Sequence, residues 1–169
     1  TLKNYLQDPD KEIGDLAVIQ WNDAFNWGLY REGWRRFLPE LFAEDQMIHW
    51  FDLLRYITGL DIVQVYMDSF IRNGINWNGS STVFANIALA KPENYKNRHK
   101  WVWCRLYGDW QRKGPRDDHT ETREFDGTKG KIVLQDGKWI TTFIYTNEEG
   151  TKWEEDGIMP QDDILNLGT

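Results

Sequence analysis

One cysteine, three histidines and five prolines are all that the 169-residue chain holds of these types. The single Cys104 excludes an internal disulfide framework. It sits within Trp101-Val102-Trp103-Cys104-Arg105-Leu106-Tyr107, which reads as a strand interior, so a buried, inert thiol is expected rather than a nucleophile. His49, His99 and His119 lie too far apart for paired metal ligands, and no Cys/His cluster exists in the sequence. Positive charge is also short. Lys and Arg number 20 against 27 Asp and Glu, a net charge of −7 that disfavours nucleic acid or an anionic membrane surface as partner. The small basic groupings, Arg31, Arg35 and Arg36 or Arg112, Lys113 and Arg116, read as solvated faces. No apolar run approaches the roughly 18 residues of a membrane helix, and no secretory apolar segment is visible. Cytoplasmic residence is therefore expected. There is no Gly-x-Ser-x-Gly elbow. Asp126-Gly127-Thr128-Lys129-Gly130-Lys131 has the flavour of a phosphate loop but joins strand to strand, not strand to helix. What chemistry the chain performs is expected to be acid–base work without a cofactor or metal.

Aromatic residues, by contrast, abound: ten Trp, eight Phe and seven Tyr. Such side chains bury large areas and line ligand pockets, with the indole N–H and phenol O–H as polar handles. The length fits one domain with a real core, spanning residues 1–169, with an N-terminal arm at 1–9 and a C-terminal tail at 157–169. Helical spacing of Ile13, Leu16, Ala17, Gln20, Trp21, Ala24 and Trp27 predicts a first helix from about Lys11 to Gly28. A second is predicted over about 31–43 and a third from Thr58 or Asp61 to Arg72. Between them, Gln46–Asp52 and Leu53–Ile57 read as a strand pair. Alternation then predicts strands over 81–90, 99–112, 119–126, 131–135 and 138–147, the last two joined at Asp136-Gly137, with an acidic turn at 148–156. Helices followed by a curved antiparallel sheet make an α+β fold.

That order of elements resembles the nuclear-transport-factor-2-like superfamily, in particular its SnoaL-like and scytalone-dehydratase-like branch. The residues that carry the resemblance are Trp34–Asp45, Met47–Asp52, Thr58-Gly59-Leu60-Asp61 and Leu134-Gln135-Asp136-Gly137-Lys138-Trp139-Ile140. The resemblance implies a cone-shaped α+β barrel whose mouth is a ligand pocket. It also implies a homodimer, or a trimer as in the dehydratase type. No catalytic set of the superfamily carries over whole: positions that hold acids or tyrosines in relatives fall near Phe25, Asn26, Trp50 and Gly130.

Read on that frame, His49 lies on the first strand, where relatives place a pocket acid or base, and its near-neutral pKa suits proton transfer. Asp52, three residues on, would face the other way in a plain strand. The strand 101–111 puts Trp101, Trp103, Arg105, Tyr107 and Asp109 on one side and Val102, Cys104, Leu106, Gly108 and Trp110 on the other. Both sides are partly apolar, so burial by helices on one and by a second subunit on the other is expected. Catalytic candidates are His49, Asp52, Asp109 and Tyr107. Substrate-binding candidates are Trp21, Asp23, Phe25, Trp50, Asn86, Trp103, Arg105, His119, Trp139 and Tyr145. The expected function is a lyase, isomerase or cyclase acting on a hydrophobic polyketide- or terpenoid-like molecule. The alternatives are a non-catalytic binding or assembly module and an epoxide hydrolase. Titratable groups converging in the cone would mark the enzyme; a cone filled by its own Trp and Phe side chains would mark the module.

Overall fold

The computed structural model of the chain describes residues 2–10, 13–25, 33–73, 79–111, 119–135, 138–147 and 150–159. The elements in order are α1 (Leu2–Gln7), β1 (Leu16–Phe25), a 3-10 turn at Trp34–Phe37, α2 (Leu41–Asp45), α3 (Met47–Thr58), β2 (Asp61–Phe70) and β3 (Thr82–Ala90). Two short 3-10 turns, Pro92–Asn94 and Arg98–Lys100, lead to β4 (Val102–Asp109), β5 (His119–Gly127), β6 (Gly130–Gln135), β7 (Lys138–Asn147) and β8 (Gly150–Met159).

All eight strands form one sheet in the order β2-β3-β4-β1-β5-β6-β7-β8. Its two edges, β2 and β8, are not paired with each other, so the sheet is open. This overturns the cone-shaped α+β barrel and, with it, the SnoaL-like frame. Only β1 with β4 is parallel; the other six described pairings are antiparallel.

The first half of the chain exchanges helix and strand relative to the sequence reading. The expected first helix is β1, held between β4 and β5 with Trp21 opposite Leu106 and Arg123. The expected third helix is β2, whose Asp-Ile-Val-Gln-Val-Tyr pattern suits a pleated strand and pairs with β3. The expected strand pair at 46–57 is α3. Met47, Trp50, Leu54, Ile57 and Thr58 are its buried residues, at the three- and four-residue spacing of one helix face. Gly59, at φ 69°, supplies the left-handed cap, and its N–H donates to the Arg55 carbonyl at 2.9 Å. The Thr58 hydroxyl donates back to the Leu54 carbonyl at 2.6 Å, so Thr58 closes this helix instead of opening the next element. In the second half, β3 to β7 fall where alternation placed strands, and the acidic stretch beyond them forms β8. Asp136-Gly137 lies outside the described residues.

The helices lie on one face of the sheet. Ile19 and Trp21 from β1, Ala85, Ile87 and Leu89 from β3, Cys104 and Leu106 from β4 and Phe125 from β5 are buried there with Leu41, Phe42, Met47, Trp50 and Leu54. Alternation along each strand turns the intervening residues to the opposite face. On that face Phe84, Tyr66 and Phe70 stay exposed, at 45%, 63% and 40%.

Candidate functional site

The sheet separates the sequence-derived candidates into three places. Trp21, Asp23 and Trp50 lie on the helix-covered face. Asn86, Trp103, Arg105, Tyr107 and Asp109 belong to the opposite face. His49 and Asp52 are exposed on the outer side of α3. The side chains of Phe25, His119, Trp139 and Tyr145 lie outside the described residues.

On the covered face, the expected aromatic walls pack on one another. The Trp21 and Trp50 ring centroids are 5.8 Å apart, and Phe42 meets Trp50 edge-on at 5.0 Å and Trp110 at 5.3 Å. Gly108 makes room for this knot, because a Cβ there would overlap the Phe42 ring. At its margin the Arg123 guanidinium lies over the Trp21 ring, 4.1 Å from the centroid, and forms an ion pair with Glu121. Burial lowers the Arg123 pKa, opposed by the charges of Glu121 and Asp23, so the cation stays tied to two carboxylates. The Trp21 indole N–H is buried and without a hydrogen-bond partner. The nearby Cys104 thiol is pushed up to about 12 by burial, as befits a core residue.

On the open face, Asp109 is fully buried although its strand neighbours Tyr107 and Arg105 are not. Its carboxylate accepts from Arg72 Nη1 at 2.6 Å, the Tyr107 hydroxyl at 3.0 Å, the Thr82 hydroxyl at 3.2 Å and the Gln111 backbone N–H at 2.8 Å. Four donors saturate a carboxylate, which leaves this one suited to holding β2, β3 and β4 together. Phe70, Phe84 and Tyr107 stack in a row beside it, at 5.7 and 5.0 Å between centroids.

The outer side of α3 differs from both. Because this segment is a helix and not a strand, His49 and Asp52 are one turn apart and share a face. Ile48, at 57% exposed, and Tyr56, at 51%, lie on the same exposed side of the helix. One turn upstream, Asp45 ends α2 and accepts from Arg35 Nε at 2.5 Å, and Gln46 between the two helices keeps a right-handed helical conformation. An exposed imidazole with a carboxylate one turn away can accept a proton and be held in one orientation while it does so. Sequence reasoning picked His49 and Asp52 but placed them on a strand. It missed Asp45 and Arg35, whose pairing depends on the turn into α2.

No dinucleotide cradle is built among the described residues. Such a cradle needs consecutive parallel strands joined through helices, with a glycine-rich turn at a helix N-terminus. Here the one parallel pair among the described residues, β1 and β4, is separated in sequence by two α-helices, α2 and α3, and two antiparallel strands.

No family model and no curated protein matches the chain. Solved structures do. An oxidoreductase from Agrobacterium radiobacter, in complex with NAD+, L-tartaric acid and magnesium, matches with a TM-score of 0.58 at 16% identity, over 99% of this chain and 45% of its own. Levoglucosan dehydrogenase, in complex with NADH and L-sorbose, gives 0.64 at 16%, over 92% of this chain and 42% of its own. The transcriptional regulator Gal80p from Kluyveromyces lactis gives 0.59 at 18%, over 92% and 40%. The chain thus spans less than half the length of these structures. The likeness is one of fold. It replaces the SnoaL-like resemblance, and the expectation of a cofactor-free lyase, isomerase or cyclase, which rested on that resemblance, falls with it. Small molecules are bound by the first two of these proteins. No helix of the described residues is long and apolar enough to cross a membrane.

Proposed function

We propose that this chain is the open-sheet, substrate-side domain of an NAD-linked oxidoreductase of the Gfo/Idh/MocA-like kind. One observation carries the reading: nearly the whole chain matches less than half of several such enzymes, and the matching part is largely antiparallel. Nucleotide-binding folds of this class use a parallel sheet. The residues described here do not fit a dinucleotide, and no step involving one is assigned to them.

The chain's own share of the work is to bind and orient a small hydroxylated substrate and to receive its proton. Oxidation of an alcohol to a carbonyl releases the hydroxyl proton, so a base must stand at that oxygen. His49 is that base in this reading. It is exposed on the helical layer, and Asp52 shares its face. The Asp45–Arg35 pair fixes the turn from which α3 starts. The 169 residues act as one domain, and a cytoplasmic setting suits an NAD-linked reaction.

The test is a titration with NADH, read as energy transfer from the ten tryptophans. This chain alone is expected to give no saturable transfer, and the full natural polypeptide is expected to give it. Tight binding of NADH by the 169 residues alone would overturn the assignment.

A further inference from the structure

Two buried donors at the margin of the covered face have nothing to donate to. Among the described residues, Trp21 Nε1 and Arg123 Nε are buried without a hydrogen-bond partner. They are neighbours. Trp21 and Arg123 stand opposite each other on β1 and β5, and the guanidinium lies over the indole, 4.1 Å from the ring centroid. Two residues along, the same register sets Asp23 opposite Glu121. A strand spacing of about 4.8 Å and a two-residue rise of about 7 Å put the four side chains at the corners of one small rectangle. Burial falls off across it. Trp21 is 0% exposed and Asp23 6%, whereas the Arg123 and Glu121 side chains keep 12% and 25%. The rectangle therefore opens to solvent along β5.

Buried donors are nearly always paired, because an N–H that has lost water and gained no acceptor is costly. Whatever completes these two must accept from both. Beside them stand two carboxylates, each with about four lone-pair sites, so it must also donate. The Glu121 carboxylate forms an ion pair with Arg123, and the charge of Asp23 acts on the same guanidinium. Two carboxylates against one guanidinium leave the cluster with an excess of one negative charge. A carboxylate ligand accepts but does not donate, and it meets that excess charge. An ammonium ligand donates but cannot accept from Trp21 or Arg123. A hydroxyl does both and carries no charge. Two hydroxyls on adjacent carbons match two donors and two acceptors at once.

We propose that Trp21, Asp23, Glu121 and Arg123 form a subsite for a neutral polyhydroxylated molecule, whose vicinal hydroxyls accept from Trp21 Nε1 and Arg123 Nε and donate to the carboxylates of Asp23 and Glu121. The assignment rests on the substrate-side reading above and narrows it from hydroxylated compounds at large to uncharged polyols and sugars. The donors are pre-oriented. The Trp21 indole is held between the Arg123 guanidinium and the Trp50 ring, 5.8 Å away, so its N–H keeps one direction. Trp50 follows His49 in α3, so the subsite borders the helix that bears the proposed base. Glu121 sets the specificity: it holds the guanidinium, and its charge turns an anionic ligand away.

The test is calorimetric titration of the purified chain, without nicotinamide, with sorbitol and with gluconate. The two share a polyol skeleton, and gluconate ends in a carboxylate. Saturable binding of sorbitol is expected, with gluconate at least about tenfold weaker. Trp21→Phe keeps a ring and removes the N–H, and is expected to weaken sorbitol binding about three- to tenfold, the ordinary contribution of one hydrogen bond. Glu121→Gln cancels the excess charge and is expected to bring gluconate to within about threefold of sorbitol. A residue that only supported the fold would weaken both ligands alike and leave their ratio unmoved. Circular dichroism separates loss of binding from loss of folding, and Glu121→Gln, at a partly exposed side chain, carries the test if Trp21→Phe folds poorly. The proposal is overturned by no saturable binding of sorbitol, by a Trp21→Phe chain that binds it as wild type does, or by an unmoved ratio in Glu121→Gln. An ordered water alone on Trp21 Nε1 in sorbitol-soaked crystals would overturn it as well. The titration contains no nicotinamide, so its failure leaves the NADH titration standing, and failure of the NADH titration leaves a chain that binds sorbitol.

Discussion

Arg72 donates to Asp109 at 2.6 Å and so ties the chain just beyond the end of β2 to the end of β4, across the intervening β3. The carboxylate is wholly buried, while the arginine side chain is 35% exposed. The cation therefore closes over a buried anion from the solvent side.

Removing that anion orphans its donors. Asp109→Ala is expected to lower unfolding free energy by about 1.5–3 kcal/mol, the range for hydrogen bonds to a charged group. Arg72→Met is expected to cost a comparable amount, since it leaves the buried carboxylate without its cation. Urea unfolding of both single variants and the double variant checks this. If the two effects simply add, the pair is not the coupled unit that the geometry indicates.

The aromatic knot under the helices admits no extra atom. Gly108→Ala drives a methyl group into Phe42, which is held in turn by Trp50 and Trp110. The expected loss is about 1–3 kcal/mol, from overpacking. Trp21→Ala is expected to cost about 3–5 kcal/mol, from the cavity it leaves. Thermal melts of both variants against wild type measure it. An unshifted melting temperature for G108A would mean that Phe42 does not sit over this glycine.

Cys104 gives a pH-dependent signature. Burial pushes its folded pKa up to about 12, from an ordinary value of 9.0. A group raised in the folded state contributes stability that is fully present below its unfolded pKa and is lost as pH rises toward the folded one. The window is therefore about pH 9 to 12. Wild type is expected to lose stability across it more steeply than Cys104→Ala. In the folded chain at pH 8 the thiol is expected to resist a thiol-specific reagent and to react once the chain is unfolded. Rapid modification of the folded protein would place the side chain outside the core.

Particular residues show what the sequence disclosed and what it did not. Strands β3 to β7 were legible because each alternates over a long run, as in Val83, Ala85, Ile87 and Leu89. The first half misled because its apolar residues satisfy two periods at once. Leu16, Ala17, Trp21 and Ala24 fit a helix face, yet β1 is a central strand between β4 and β5, and its Ile19, Trp21 and Asp23 alternate onto the covered face. Met47, Trp50 and Leu54 have the spacing of one helix face, which the apparent alternation of Gln46–Asp52 masked. The parallel pairing of β1 with β4 joins segments far apart in the chain, and no local pattern encodes it. His49 and Asp52 stood out by chemistry alone. Their shared face became visible only once the segment proved to be a helix.

The role given to His49 is tested most directly by NAD+ reduction in the full natural polypeptide, with a panel of small hydroxylated compounds followed as NADH appears. For any compound that is turned over, His49→Ala is expected to lower kcat by at least about 100-fold, the ordinary contribution of a positioned base, with NADH affinity unchanged. Asp52→Asn is expected to shift the pH profile of the same reaction. Undiminished turnover in the His49 variant, or no NAD-linked oxidation by the wild type, would contradict the account.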